Sequence, residues 1–413
     1  MSAVEFNGID AGTGGYLFPA QSPADIARTA RRSVLPRELA AWTASFVRDL
    51  DDLAQTGWGL VVPDGLDAAI IDALCPLLDL RAGQAGAHYR ELVVRPGEDK
   101  STFLRRNGMG PGPADPRRVP YYLLIVGPPA LVPYSFQYLL DVQYAVGRVD
   151  FDTVAEYAAY ARHVVAAEER GVATVPAHLF ATSNPDDEPT GLSARKLAEP
   201  LARELTAFGA AVTKDVGAPA TKQRLRDLLA GGPGILFTAT HGLGSRDGDA
   251  RDVQGALVCQ DWPGPLAAQP IEQRHYLCAA DVVAPVVPRV VFSFACYSGG
   301  FAAHVSRLPQ RLLVHGALAF VGHVDRAWGY SFLWDGADEH ITAMVSAVLS
   351  LHEGHRLGTA MEAVNCRWSE IAAELTTRLD QLGADDRRLA WLWTACNDAR
   401  NYVVVGDPAV RAC

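Results

Sequence analysis

Two stretches bring together residue types that can do nucleophilic chemistry. FACYSGG, residues 294–300, ends an apolar run in Cys296 and follows it with small residues; GILFTATHG, residues 234–242, ends another in His241 and Gly242. A free thiol titrates near pH ~8.5, and a neighbouring imidazole shifts it or takes its proton during attack. Gly242 lets main chain approach closely. Its N–H and that of Cys296 are candidate donors to a developing oxyanion, where one donor contributes ~3 kcal/mol to the barrier. Read alone, each feature also has a plainer reading. Cys296 is then an inert buried sulfur, His241 caps a strand end, and Gly242 and Gly299 are turn residues.

The pair can act only if the chain brings it together, so the elements decide the matter. In an open α/β sheet, ligands bind beyond the carboxyl ends of the strands. If GILFTAT and RVVFSFA (289–295) are parallel neighbours, their ends lie about 5 Å apart and both side chains emerge at one rim. The 55 residues between them (296 − 241) leave room for the crossover that parallel pairing requires.

Near-continuous apolar runs predict further buried strands at 58–63 (WGLVVP), 121–127 (YYLLIVG), 177–183 (AHLFATS), 316–322 (GALAFVG) and 402–408 (YVVVGDP). Helical spacing predicts helices over 24–31, 38–50, 66–78, 193–209 with a kink at Pro200, and 221–232. Another is opened by the Thr153–Glu156 capping box and ended by Gly171, and the segment before YVVVGDP reads as helical. This alternation predicts an α/β protein of two αβα units with mostly parallel sheets. The expected boundaries are an N-terminal appendage over 1–50, a first α/β unit over 51–172 and a second over 173–413.

Composition narrows the function classes. The 413 residues are 49% hydrophobic and 20% charged, as in an ordinary globular protein, and the net charge of −10 argues against a nucleic-acid partner. No run of ~18 apolar residues is long enough for a membrane span, and the start has no basic-then-apolar signal pattern. Seven cysteines, odd in number and never in CxxC spacing, argue for reduced thiols in a cytoplasm. HEGH (352–355) lacks the i, i+4 spacing of a zinc-binding helix, and HGLGSRDG is not a nucleotide-binding glycine pattern. No metal or other cofactor is expected. The acidic loop RDGDARD (246–252) reads as a solvated loop before a calcium site, and as a lid following His241.

With these motifs in order, residues 120–410 resemble the caspase-like cysteine peptidases, closest to the gingipain and CHAT-type bacterial branch. ATHG and FACYSGG resemble that family's catalytic pair. YYLLIVG with YAVGRVDFDTVAEYAAYARHVVAAEE resembles its strand, G-R turn and long helix; GALAFVGHVDRAW and YVVVGDPAVR resemble its cleft-side and closing segments. The resemblance implies a caspase-like αβα sandwich whose second unit is catalytic, with a His241–Cys296 dyad and oxyanion donors at Gly242 and Cys296. It implies Trp328 beside the S1 pocket. Ser193 stands where arginine-specific relatives carry an acid, so a basic P1 preference does not carry over. Asp325, or the loop Asp186, Asp187 and Glu188, would have to substitute.

The expected activity is a cytoplasmic cysteine endopeptidase acting on protein or peptide substrates, regulated by a ligand, a protein partner or self-cleavage. The N-terminal 50 residues are the expected regulatory or docking segment. The alternatives are a catalytically silent scaffold of the same fold and a thiol amidase or acyl transferase acting on a small molecule.

Overall fold

The computed structural model describes all residues except 1–7, 18, 20, 33–48, 172–173, 233, 245–251, 268, 330, 335–338, 382–384 and 413. Residues 38–48 of the helix expected over 38–50, and 246–251 of the acidic loop at 246–252, lie outside the described residues; Asp49 and Leu50 are not helical.

Ten strands form one sheet: β1 (Trp58–Pro63), β2 (Tyr89–Val94), β3 (Tyr122–Val126), β4 (Ala145–Val149), β5 (Ala177–Ala181), β6 (Val212–Val216), β7 (Ile235–Ala239), β8 (Val290–Phe294), β9 (Ala319–His323) and β10 (Tyr402–Gly406). Their spatial order is β2-β1-β3-β4-β10-β9-β8-β7-β5-β6. Every neighbouring pair is parallel except β9–β10, which is antiparallel. The two αβα units therefore share one continuous sheet. β1–β4 run one way and β5–β9 the other, and β10, the last strand of the chain, forms the seam by running with β1–β4.

Inner strands such as β3, β5, β7 and β8 are buried at every residue, which is why they read as near-continuous apolar runs, and the polar exceptions are hydrogen-bonded, as Thr238 is to Ser293 at 2.9 Å. Helices Ala68–Ala85, Val154–Glu169 and Arg307–Val314 pack in one group; Thr342–His352, Leu357–Leu379, Asp386–Arg400 and Pro23–Arg32 pack in another. The Thr153–Glu156 capping box is present, closed in both directions. The irregularity expected at Pro200 is a π-helical turn, Ala194–Ala198, just before helix Glu199–Ala207.

Gly147 and Arg148 are not a turn. They lie inside β4, where a Cβ on Gly147 would stand 2.1 Å from the Gly406 carbonyl oxygen. Arg148 is buried and donates to Gln137 Oε1 (3.0 Å) and to the carbonyls of Gly127 (2.8 Å) and Val132 (2.6 Å). Asp407 ties the seam to the first unit. It accepts from Trp58 Nε1 (2.9 Å), Arg81 Nε (2.7 Å) and the Ala409 N–H (3.0 Å), all buried.

Beyond the carboxyl end of β7, a four-stranded sheet forms from Gly8–Asp10, Gly242–Gly244, Leu257–Val258 and Tyr276–Leu277, in that order. It rests on its own apolar cluster of Ile9, Leu243, Ala256, Val258, Trp262, Ile271 and Cys278.

Candidate active site

Three adjacent parallel strands deliver three polar side chains to one rim. β7 and β8 are paired up to Ala239↔Phe294, and Thr240 N–H then donates to the Phe294 carbonyl at 3.1 Å. His241 and Cys296 follow two residues beyond that last pair. β5 lies on the other side of β7, and the loop after it carries Asp187, the N-cap residue of helix Glu188–Ser193.

The rims touch at the main chain. A Cβ on Gly242 would lie 1.8 Å from the Cys296 carbonyl oxygen and 2.9 Å from its nitrogen. Gly242 does not have a positive φ, so its requirement is space. The chain turns sharply after Cys296, because Tyr297 is left-handed at φ 57°. That is an uncommon and strained conformation for a non-glycine residue. Tyr297 N–H donates to the Asp325 carbonyl at 2.9 Å, which fixes the turn against the loop after β9.

His241 is fully buried between two aromatic rings, Tyr16 at 6.0 Å and Trp262 at 5.7 Å between centroids. Its Nε2–H donates to Asp187 Oδ2 at 2.8 Å. A carboxylate only accepts, so this bond selects the tautomer that leaves Nδ1 with a lone pair. Nδ1 has no hydrogen-bond partner among the described residues. Asp187 also accepts from Thr190 Oγ1 (2.5 Å) and from the Tyr16 hydroxyl (2.8 Å). Burial alone would raise its pKa. The attraction of His241 and these hydrogen bonds outweigh burial and hold the carboxyl below the usual range.

Cys296 is also fully buried. Its Sγ accepts from the Ala327 N–H at 3.1 Å. Burial pushes the thiol well up, and the Ala327 hydrogen bond offsets that only in part.

The other expected site residues are placed differently. Trp328 is 1% exposed, its N–H donating to Asp398 Oδ1 at 2.8 Å, and its ring sits in the cluster formed by Ile26, Trp368, Leu392 and their neighbours. It is core here, not an open pocket wall. Ser193 is 1% exposed and donates to the Thr190 carbonyl at 3.1 Å. The Asp325 carboxylate is turned outward to Arg326 (3.3 Å), and Glu188 points to Arg195 (3.1 Å) at the surface.

Asp187 was weighed in the sequence only as a partner for a substrate side chain. Its place against His241 follows from the same strand-end rule applied to a third strand. Among the described residues, no three His, Cys, Asp or Glu side chains cluster as metal ligands, and no helix is long and apolar enough to cross a membrane.

No protein-family description matches the sequence, and no curated protein does. Solved structures do. A structure described as a protease aligns with TM-score 0.52 at 13% identity, covering 87% of this chain and 79% of that one. The Arg-specific cysteine proteinase gingipain R aligns at 0.50 and 13%, covering 89% and 80%. The complex of pro- and mature domains of RgpB from Porphyromonas gingivalis aligns at 0.50 and 13%, covering 86% and 79%. The chain thus has the α/β fold of the caspase-like gingipain cysteine proteinases.

Proposed function

We propose that the protein is a cysteine endopeptidase in which Cys296 is the nucleophile, His241 the base and acid, and Asp187 the residue that orients His241. One observation carries this reading: Asp187 fixes Nε2–H, leaving the unpartnered Nδ1 of His241 as a base at the rim where Cys296 emerges. Nδ1 takes the Sγ proton, and the thiolate attacks the scissile carbonyl carbon. The N–H groups of Gly242 and Cys296 hold the oxyanion, and the protonated imidazole passes its proton to the leaving amine. Water then hydrolyses the acyl-enzyme thioester. The fold shared with gingipain R supports the assignment.

The substrate is a protein or peptide. Net charge of −10 disfavours nucleic acid, and seven cysteines, odd in number and never in CxxC spacing, fit a reducing cytoplasm. The test is a peptide-library digest by wild type and by Cys296→Ala. Cleavage seen only with the wild type supports the reading and gives the P1 preference; equal cleavage by both overturns it.

A second reading, a silent scaffold of the same fold, is favoured by the zero exposure of Cys296 and its raised pKa. Iodoacetamide reactivity at Cys296 separates the two, provided the cause of the burial is known.

A further inference from the structure

The candidate site is closed by ten residues of the same chain. Gly8–Leu17 folds back on itself: Gly14 N–H donates to the Asp10 carbonyl (2.9 Å), Asp10 N–H to the Gly15 carbonyl (2.9 Å) and Leu17 N–H to the Gly8 carbonyl (2.8 Å). The Asp10 carboxylate fixes the turn by accepting from the N–H groups of Gly12 (3.1 Å) and Thr13 (2.9 Å). The first limb adds as a parallel strand to Gly242–Gly244, with Gly8 opposite Gly242.

The hairpin reaches all three residues of the site. A Cβ on Gly8 would stand 3.5 Å from Cys296 Sγ and 3.7 Å from Cys296 Cβ, in ordinary van der Waals contact, so the Gly8 main chain lies within one side-chain atom's reach of the sulfur. Tyr16 donates to Asp187 and sets its ring beside His241. A peptide carbonyl cannot approach that face of Sγ while Gly8 occupies it.

We propose that Gly8–Leu17 is an intramolecular strap that shuts the site and lifts to open it. This regulation rests on the peptidase reading for its purpose but not for its test. Its hold is small and local. Ile9 is fully buried in the cluster with Leu243 and Trp262; Leu17 is 3% exposed, and its Cδ2 fills the space a side chain on Gly244 would need. Helix Pro23–Arg32 keeps the segment tethered, with Ile26 and Ala27 buried in the tryptophan-rich helical cluster. A short hairpin held by two apolar anchors opens locally, well below the cost of global unfolding.

The test uses the whole chain and five of its thiols. Cys75 and Cys366 are exposed and report full reactivity; Cys259, just after strand Leu257–Val258, and Cys396, in the tryptophan-rich cluster, are buried and report wider unfolding. Iodoacetamide labelling is mapped by mass spectrometry in wild type, Ile9→Asp and Leu17→Asp. A carboxylate in either apolar slot favours the lifted hairpin, so labelling of Cys296 is expected to rise at least ~100-fold while Cys259 and Cys396 stay protected.

Cys296 labelling unchanged from wild type, in variants that keep Cys259 and Cys396 protected, overturns the strap. Should those two label as well, the wild type decides. Its Cys296 labelling is then expected to follow the same opening equilibrium as hydrogen exchange at the amides of Asp10, Gly14 and Leu17, within ~3-fold, and a larger disagreement overturns the strap. An Ile9→Asp protein that labels at Cys296 but cleaves no peptide keeps the strap and overturns the peptidase. Cleavage by wild type as fast as by Ile9→Asp overturns the strap alone.

Discussion

The substitution Gly242→Ala tests whether the two strand ends meet as described. The new Cβ would stand 1.8 Å from the Cys296 carbonyl oxygen and 2.7 Å from its carbonyl carbon. An ordinary carbon–oxygen contact is about 3.3 Å, so the two rims must separate by about 1.5 Å. No flexible side chain can absorb this, because both partners are main chain at the ends of strands paired over five residues each. Inserting one methyl group into a packed site costs 1–3 kcal/mol where side chains give way, so about 3 kcal/mol is expected here. With an unfolding entropy of roughly 2.1 cal/mol/K per residue, this lowers the thermal midpoint of 413 residues by roughly 3–4 °C. A shift of ~1 Å at a reacting group also costs ~10²-fold in rate, so Cys296-dependent cleavage in the strap-released Ile9→Asp background should fall at least that far. Scanning calorimetry and a fluorogenic peptide assay read the two effects. A Gly242→Ala protein that melts within 1 °C of its parent and cleaves within threefold would refute the contact between the rims, and with it the shared site.

Gly83→Ala is the matching control. Gly83 sits in helix Ala68–Ala85 with nothing within 4 Å of the added Cβ, so it should raise stability by ~0.4–1 kcal/mol in urea titration. Asp187→Asn should lower cleavage in the Ile9→Asp background by ~10²–10⁴-fold, because Nε2–H loses its charged acceptor and the tautomer is no longer fixed. Loss below threefold would remove Asp187 from the mechanism. Asp187 also sets a pH dependence. Its native pKa is depressed, so its contribution to stability is full above the unfolded carboxylate value of ~3.9 and is lost as pH falls through the lower native value. Calorimetry should therefore show wild type losing more stability than Asp187→Asn between pH 5 and 2. Asp407→Ala leaves the fully buried Arg81 guanidinium without its closest carboxylate and should cost ~3–5 kcal/mol, read as a lowered urea midpoint; a loss under ~1 kcal/mol would refute the buried pair.

The inner strands are legible in the sequence because burial on both faces leaves mostly apolar residues, as in YLLIV, ILFTA and VVFSF. β2 and β6, YRELVV and VTKDV, are not. They are the two edges of the sheet, half-exposed, where charge is tolerated and guards the unpaired side. The family resemblance implies a turn at Gly147 and Arg148, and the local pattern does not correct it, because glycine and arginine are rare in a buried strand. There, glycine admits the Gly406 carbonyl, and arginine satisfies two carbonyls and an amide that the core could not otherwise hydrate. Trp328 shows the same limit from the other side, since a large aromatic residue near a cleft and one in a helical cluster have the same local sequence.

The strap is a different kind of omission. GIDAGTGGYL carries a turn signal, and a hairpin could be drawn from it. That its first limb pairs with Gly242–Gly244 is a property of two segments more than two hundred residues apart, which no local pattern encodes. Yet the pairing rests on the same feature as the site. Glycines at 242 and 244 open the room: Gly242 meets the Cys296 main chain where a Cβ would collide, and Gly244 leaves the space that the Leu17 side chain fills, while Gly8 pairs opposite Gly242. The space that lets the rims of His241 and Cys296 meet is therefore also the space that admits a strand beside them, so under the proposed strap a peptide substrate and Gly8–Asp10 would compete for one slot.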